Sequence, residues 1–235
     1  MHALVITKHG GPDVLAVQDW PVPDRPLGGQ VLIDVRAAGL NFAEMMARMG
    51  LYPDAPKPPC VVGYEVAGTI AAVGPGVDGV SPGDRVMAGV QFGGHAEQVV
   101  AKAADVVPLP DELSFEEGAA IPVNYSTAWA GLIRYGNLQP GERRNYLTAV
   151  RSILRMPRFN LVKQMSQSKA VIGLNMLTLW KEAGTLDPWI EPLRELMEDG
   201  TIAPVVAEAF PFERAGDAHR MMAERRNVGK VVLTP

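Results

Sequence analysis

The sequence of 235 residues has a single cysteine, and aromatic residues make up only 6% of it. A lone cysteine excludes an internal disulfide framework. The N-terminal segment turns polar after about six residues, too soon for the apolar core of a secretory leader. No run of about 18 apolar residues exists, so no membrane span is predicted. Together these absences predict a protein of the reducing cytoplasm.

Residues that bind metal ions are also scarce. The four histidines are scattered along the chain, and Cys60 has no second cysteine beside it. A catalytic zinc ion needs three protein ligands that converge on one point, so we predict no zinc site. Cys60 is interpreted as a small buried apolar side chain rather than a reactive thiolate.

The charge is unevenly distributed, although the net charge of −4 gives no global attraction to nucleic acid. Residues 143–169 contain seven basic residues and no acidic ones. We interpret this segment first as the solvated face of an amphipathic helix. Two alternatives stay open: an anion-binding surface and a helix on a membrane surface. The segment has two aromatic residues, Tyr146 and Phe159, too few for a stacking platform, so no nucleic-acid partner is expected.

The first half of the chain has the pattern of a β-barrel or sandwich. Up to about residue 122, short apolar runs are separated by turns rich in Gly, Pro and Asp. One helix is predicted over 41–50, ending at Gly50, and a second begins at Ser114, whose capping box is completed by Glu117. The predicted strands are HALVIT, VLIDVRAAG, YEVAGTIAAVG, DRVMAGV and EQVVAKA.

The second half mixes helices and strands. TAWAGLIRYGNL and RNYLTAVRSILRM have helical patterns, whereas the apolar run AVIGLNML at 170–177 predicts a buried strand. Asp187 and Pro188 begin another helix, in which Pro192 can delay the start by one turn. PVVAEAF, FERAGDAHRMMAERR and GKVVLT then predict a strand, a helix and a final strand.

The Gly-rich motif GPGVDG at 74–79 fits the spacing of a dinucleotide-binding loop. That loop must be followed by a helix, whose N-terminus receives the pyrophosphate. Pro82 and Gly83 follow instead and forbid a helix, so we predict a plain turn between strands.

Several long segments resemble the zinc-free quinone oxidoreductases of the medium-chain dehydrogenase/reductase superfamily, in particular the subgroup with the synaptic vesicle membrane protein VAT-1 homologues. They are AAGLNFAEMMARMGLYP, PPCVVGYEVAGTIAAVGPGV, PGDRVMAG, the stretch from Gly93 to Trp129, and the tail from Val171. The resemblance implies a GroES-like β-barrel catalytic domain, built from both chain ends, around a Rossmann domain that binds NADPH. It also implies hydride transfer to a quinone or an enone.

The chain departs from the family pattern after LQPGER. The strand and Gly-rich turn of the Rossmann domain are absent there, and residues 126–176 are too few for a doubly wound domain. We therefore predict a mainly β, α+β protein: a GroES-like barrel plus a helical remnant of a deleted Rossmann domain. The predicted parts are 1–124, 125–184 and 185–235, with the joint near 143–144.

The resemblance also implies a site. Asn41 and Tyr52 would donate hydrogen bonds to a substrate oxygen, and Tyr64 occupies the position of a zinc-binding histidine in zinc-dependent relatives. The predicted catalytic residues are therefore Asn41, Tyr52 and Tyr64. Alternatively, Asn41 only caps the 41–50 helix, and the two tyrosines only line a pocket or the core. The expected contacts to nicotinamide are Thr127, Leu174, Asn175 and Met176.

Two readings of function stay open at this point. The first is an NADPH-dependent reductase of small apolar carbonyl compounds or quinones, in which the deletion leaves NADPH binding too weak for useful turnover. The second is a module without enzymatic activity, which binds small ligands, a protein partner or, through 143–169, anions. The unpaired strand at 170–177 would also favour a homodimer.

Overall fold

The computed structural model describes residues 1–134 and 174–235. Ten strands in these ranges form two sheets, a larger one of seven strands and a smaller one of three. The strands are β1 (His2–Ile6), β2 (Leu15–Asp19), β3 (Gln30–Leu40), β4 (Cys60–Val61), β5 (Glu65–Val73), β6 (Arg85–Gly89), β7 (Gln98–Lys102), β8 (Val106–Pro108), β9 (Val206–Pro211) and β10 (Lys230–Thr234).

The larger sheet combines both ends of the chain. Its order is β8-β6-β5-β3-β10-β9, and β7 also pairs with β3. The C-terminal strand β10 lies antiparallel to β3, with Val232 opposite Gly39, and parallel to β9. Alternate residues of β3, such as Val31, Ile33 and Val35, are buried in one apolar cluster. The predicted α+β class and the predicted contribution of both chain ends to the barrel are confirmed.

The helices begin and end where local signals place them. Asn41 is the N-cap of α1, and Gly50, with φ of 77°, follows its end. The Ser114–Glu117 capping box opens α2 as predicted. The helices are α1 (Phe42–Arg48), α2 (Phe115–Gly118), α3 (Pro122–Trp129), which continues as a π-helix (Ala130–Arg134), α4 (Met176–Ala183), α5 (Asp187–Ile190), α6 (Arg194–Glu198) and α7 (Ala215–Ala223).

The predicted strand at 170–177 is wrong from Met176 onward, where α4 begins. The Asn175 side chain accepts a hydrogen bond from the Thr178 backbone N–H at 3.4 Å, which caps the helix. Leu177 and Trp180, three residues apart, form the buried face. A short apolar run fits a buried helix as well as a strand, and here the cap favours the helix. Residues 170–173 lie outside the described ranges.

A buried carboxylate joins α4 and α5 to the barrel. Asp105 accepts hydrogen bonds from the indole N–H of Trp180 at 3.1 Å, the Thr185 hydroxyl at 3.0 Å and the Leu186 backbone N–H at 2.6 Å. Farther along, Pro192 lies in a 3₁₀ turn between α5 and α6, so the predicted helix is divided there.

Of the remaining predictions, one concerns a described segment and three concern segments outside the described residues. The glycine-rich stretch 74–79 is a turn between β5 and β6, as expected. The predicted helix RNYLTAVRSILRM, the basic segment 143–169 and the joint near 143–144 lie outside the described residues. Among the helices that are described, none has both the length and the hydropathy needed to span a bilayer.

Candidate active site

The N-terminus of α1 lies at the centre of a buried polar network. Asn41 ends β3's extended backbone and caps α1, and its backbone N–H donates to Glu44 Oε2 at 2.9 Å. Its side-chain Nδ2 donates to Glu65 Oε1 at 2.9 Å and to Glu44 Oε1 at 3.3 Å. Its Oδ1 accepts from Lys230 Nζ at 2.6 Å. The whole amide is therefore engaged by protein groups, and its orientation is fixed.

Lys230 and Glu65 form a buried ion pair in this network. Nζ lies 2.5 Å from Oε1, and the two side chains are 3% and 0% exposed. Lys230 Nζ also donates to Asn124 Oδ1 at 3.2 Å. A charge buried this deeply needs several polar partners, and each member of the pair has them. The ion pair holds the first residue of β5 against the first residue of β10.

Glu65 also caps α3 from a distant part of the chain. Ile121, the N-cap residue of α3, has no side-chain acceptor, and Glu65 Oε2 accepts from the Val123 backbone N–H at 2.7 Å. A carboxylate at a helix N-terminus is favoured by the helix dipole. Glu65 thereby connects α3 with both ends of the chain.

Glu44 is the third carboxyl of the network and is fully buried. Burial raises its pKa to about 8, a change that the charge of Lys230 only partly offsets. Glu44 is accordingly protonated at neutral pH, and it is Glu65 that lies in ion-pair contact with Lys230.

Four residues of the network were not predicted from the sequence: Glu44, Glu65, Asn124 and Lys230. A signal for two of them existed, because Glu65 and Lys230 each stand directly before a buried apolar strand run. Nothing in the sequence shows that these two positions meet, since the pairing depends on β10 entering the sheet beside β3.

Three aromatic rings lie beside this network. The Tyr52 and Tyr64 ring centroids are 6.2 Å apart with an interplanar angle of 78°, and Tyr64 and Phe92 are 5.3 Å apart at 56°. Tyr64 is buried, whereas Tyr52 and Phe92 are half-buried. Burial raises the pKa of both tyrosines, so both remain phenols across the physiological range.

The predicted site residues come together in part. Tyr52, Tyr64, Leu174 and Met176 all belong to or pack against one apolar cluster. Thr127 is half-buried on α3, and Asn175 is exposed at the start of α4. Asn41 belongs to the polar network instead.

Sequence comparisons give the family. A family profile described as "Alcohol dehydrogenase GroES-like domain" matches residues 28–111, and one described as "Zinc-binding dehydrogenase" matches residues 135–233. The synaptic vesicle membrane protein VAT-1 homologue of mouse is 44% identical over 340 residues, an alignment that covers 100% of this chain and 84% of the relative. The human homologue is also 44% identical, over 342 residues, with 86% of the relative covered.

The chain belongs to the medium-chain dehydrogenase/reductase superfamily. Within it, the chain falls in the branch of VAT-1 homologues and quinone oxidoreductases.

Solved structures of this superfamily have the same fold. The human VAT-1 homologue-like protein has a TM-score of 0.83 at 27% identity, covering 100% of this chain and 98% of its own. The quinone oxidoreductase of Escherichia coli, solved in complex with NADPH, has a TM-score of 0.75 at 21% identity, with 100% of both chains covered. At that identity the second likeness concerns the fold alone.

The candidate ligand residues Cys60, Tyr64 and Glu65 do not fit a zinc ion. Tyr64 remains a phenol, and both carboxylate oxygens of Glu65 are engaged. Cys60 is buried with Sγ 3.4 Å from the Pro56 carbonyl oxygen, and burial raises the pKa of its thiol. In the described ranges, no group of three or more His, Cys, Asp or Glu residues could hold a metal ion.

The glycine-rich turn at 74–79 does not provide a binding site for the phosphates of a dinucleotide. Gly76 and Gly79 adopt positive φ values of 71° and 82° there, and no helix follows before β6. The turn therefore lacks the row of helix N-terminal N–H groups that binds a pyrophosphate.

Proposed function

We propose that this chain is the substrate-binding part of a zinc-free, NADPH-dependent quinone or enone oxidoreductase, without the core of its dinucleotide-binding domain. The observation that carries the proposal is the network of Lys230, Glu65 and Asn41. This network joins the N-terminal and C-terminal segments of the barrel at the site, although the segment of the chain between them is short. The alignment with the mouse relative spans 340 residues, whereas this chain has 235.

The tyrosines support the zinc-free assignment. Tyr64 occupies the position of a zinc-binding histidine in zinc-dependent relatives, and its phenol stays protonated. A neutral phenol can donate to a carbonyl or quinone oxygen and stabilise negative charge that develops on it. We propose Tyr52 and Tyr64 as the groups that face the substrate, and Asn41 as the residue that holds the α1 N-terminus beside them.

The deletion is expected to weaken cofactor binding. Thr127, Leu174, Asn175 and Met176 are proposed to contact the nicotinamide end of NADPH, but the remote phosphate and adenosine contacts would be lost. Such remote contacts position the reacting ring, so the proposed consequence is turnover far below that of an intact relative. The proposed parts are 1–124, 125–184 and 185–235, with the joint near 143–144 and a cytoplasmic location.

A second candidate is a ligand-binding module without turnover. The aromatic group of Tyr52, Tyr64 and Phe92 is complete on its own and does not depend on a phosphate cradle. Anion binding through 143–169 and dimerisation through 170–177 remain proposals, since all of the first segment and residues 170–173 of the second lie outside the described ranges.

A turnover assay tests the proposed loss of cofactor binding. Purified chain at micromolar concentration is mixed with NADPH and a quinone, with the Escherichia coli quinone oxidoreductase as the positive control. The proposal predicts NADPH oxidation at no more than about one-thousandth of the control rate. A rate within tenfold of the control would show that a working cofactor site is present and would overturn the proposed deficiency.

A further inference from the structure

The hydroxyl of Tyr64 is a buried donor without a partner. The Tyr64 residue is 4% exposed, and its Oη makes no hydrogen bond within residues 1–134 and 174–235. The polar groups of the neighbouring network are paired, in contrast to this hydroxyl. Two or more hydrogen bonds or ion contacts are made by each of Asn41, Glu65 and Lys230. Buried polar groups of native proteins almost always have partners, so an orphan in a site requires an explanation.

The chemistry of this hydroxyl favours donation. Burial, followed by smaller effects of nearby acidic groups, raises the pKa of Tyr64, so the proton stays on the oxygen. A neutral phenol can donate one hydrogen bond. A buried donor without a partner costs free energy, which is recovered when an acceptor binds to it. The missing partner is an acceptor atom.

The surroundings limit which acceptor can enter. Tyr64 lies between the rings of Tyr52 and Phe92, both half-buried and therefore in reach of solvent. Rings in this arrangement pack well against a flat apolar ligand. Asp54 is close enough for its charge to raise the pKa of Tyr64, so a carboxylate ligand would bring a second negative charge near it.

The loop that carries Tyr52 is held in place from the other side of the site. Lys181 Nζ on α4 lies 3.1 Å from Asp54 Oδ1, and both side chains are about two-fifths exposed, 41% and 39%. This ion pair links the loop that follows α1 to α4.

We propose that the Tyr64 hydroxyl is the specificity-determining donor of this site, and that it selects neutral planar ligands carrying an acceptor oxygen or nitrogen, without the cofactor. This inference rests on the proposed substrate cleft but on no property of NADPH. It replaces Asn41, whose amide hydrogens are engaged, with Tyr64 as the group that contacts the ligand acceptor.

The test compares three probes of similar shape by ligand-observed NMR titration: acetophenone, ethylbenzene and benzoate. We expect acetophenone to bind most tightly, because it alone is neutral and has an acceptor. Y64F should weaken acetophenone binding about three- to tenfold and leave ethylbenzene binding unchanged, as removal of one neutral hydrogen bond does. Equal acetophenone affinities in the wild type and Y64F, or no binding to the wild type, would overturn the proposal.

The melting temperature of Y64F gives an independent readout. If the hydroxyl is an orphan, its removal leaves nothing unpaired and the variant should melt at the same or a higher temperature. A clear decrease in melting temperature would show that the hydroxyl already has a protein partner, which contradicts the proposal. Failure of NADPH turnover leaves both measurements unaffected, so this inference and the proposed function can fail separately.

Discussion

Lys230 and Glu65 form a buried ion pair, with Nζ 2.5 Å from Oε1, between the first residues of the C-terminal strand and of β5. The pair joins chain segments that lie far apart in sequence, and it orients Asn41 and the start of α3. The site therefore exists only once β10 has entered the sheet beside β3.

Removal of one partner of this pair should be costly. K230M leaves the Glu65 carboxylate buried without its counterion, which costs about 3–5 kcal/mol in the free energy of unfolding. Urea denaturation measures the change, and R194M, which removes an exposed partner of Glu191, is the control with a loss of about 1 kcal/mol or less. A loss for K230M no larger than that of the control would contradict the role assigned to the pair.

Two buried histidines should make the fold sensitive to acid. Burial lowers the pKa of His95 to about 4 and of His219 to about 3, and the charge of Lys230 acts on His95 while that of Arg48 acts on His219. Arg48 Nε donates to His219 Nδ1 at 3.3 Å, so the His219 ring is neutral with its proton on Nε2.

The sign of the pH effect follows from these pKa values. The unfolded chain binds protons at both histidines below about 6.5, whereas the folded chain does not until about 4 and 3. Stability should therefore fall as the pH decreases from 6.5 toward 4. Urea midpoints measured across this range test the prediction, and H219Q should reduce the slope. A midpoint that does not change between pH 6.5 and 4.5 would contradict it.

Glu44 should make the stability of the fold decrease as the pH rises, which is opposite to the effect of the two histidines. Its pKa is about 8 in the fold and 4.5 as the ordinary value, so the folded chain holds a proton that the unfolded chain has released. Stability from this group is complete below about 4.5 and is lost as the pH rises to 8. E44Q, which stays neutral, should unfold at a similar urea concentration at pH 6 and pH 8.5, unlike the wild type. A wild-type midpoint that is equal at these two pH values would count against a protonated Glu44.

Asp105 should be required for the packing of α4 on the barrel. D105A removes the acceptor of three donors, those of Trp180, Thr185 and Leu186, and should destabilise the fold by about 2–4 kcal/mol. Hydrogen exchange should show faster exchange in Met176–Ala183 than in the wild type. D111A is the control, because that side chain is 94% exposed and its partner among the described residues is Arg85. Equal exchange of α4 in the two variants would show that Asp105 does not hold it.

Much of the fold could be predicted because its signals are local. Strands β1, β3, β5, β6 and β7 follow apolar runs bounded by turn residues, whereas the short strands β2 and β4 were not predicted. The Ser114–Glu117 capping box needs only four residues to be recognised. The end of the run at 170–177 is helical from Met176 rather than the predicted strand, because the composition suits either element and the decisive cap lies at Asn175.

The site was predictable only in part. The resemblance to the family supplied Tyr52, Tyr64, Leu174 and Met176, which the structure brings to one cluster. The protonated Glu44 and the Lys230–Glu65 pair depend on burial and on strand pairing across the whole chain, and neither is written in a local pattern. For the same reason, the sequence did not show that the Asn41 amide is already engaged.

The most direct test of the account is a calorimetric titration of NADPH into the folded chain, with a cooperative melt to show that the barrel is intact. The account predicts no detectable heat at micromolar concentrations of protein and cofactor. Micromolar binding would contradict it, because the chain would then hold the dinucleotide at a site that the described residues do not provide.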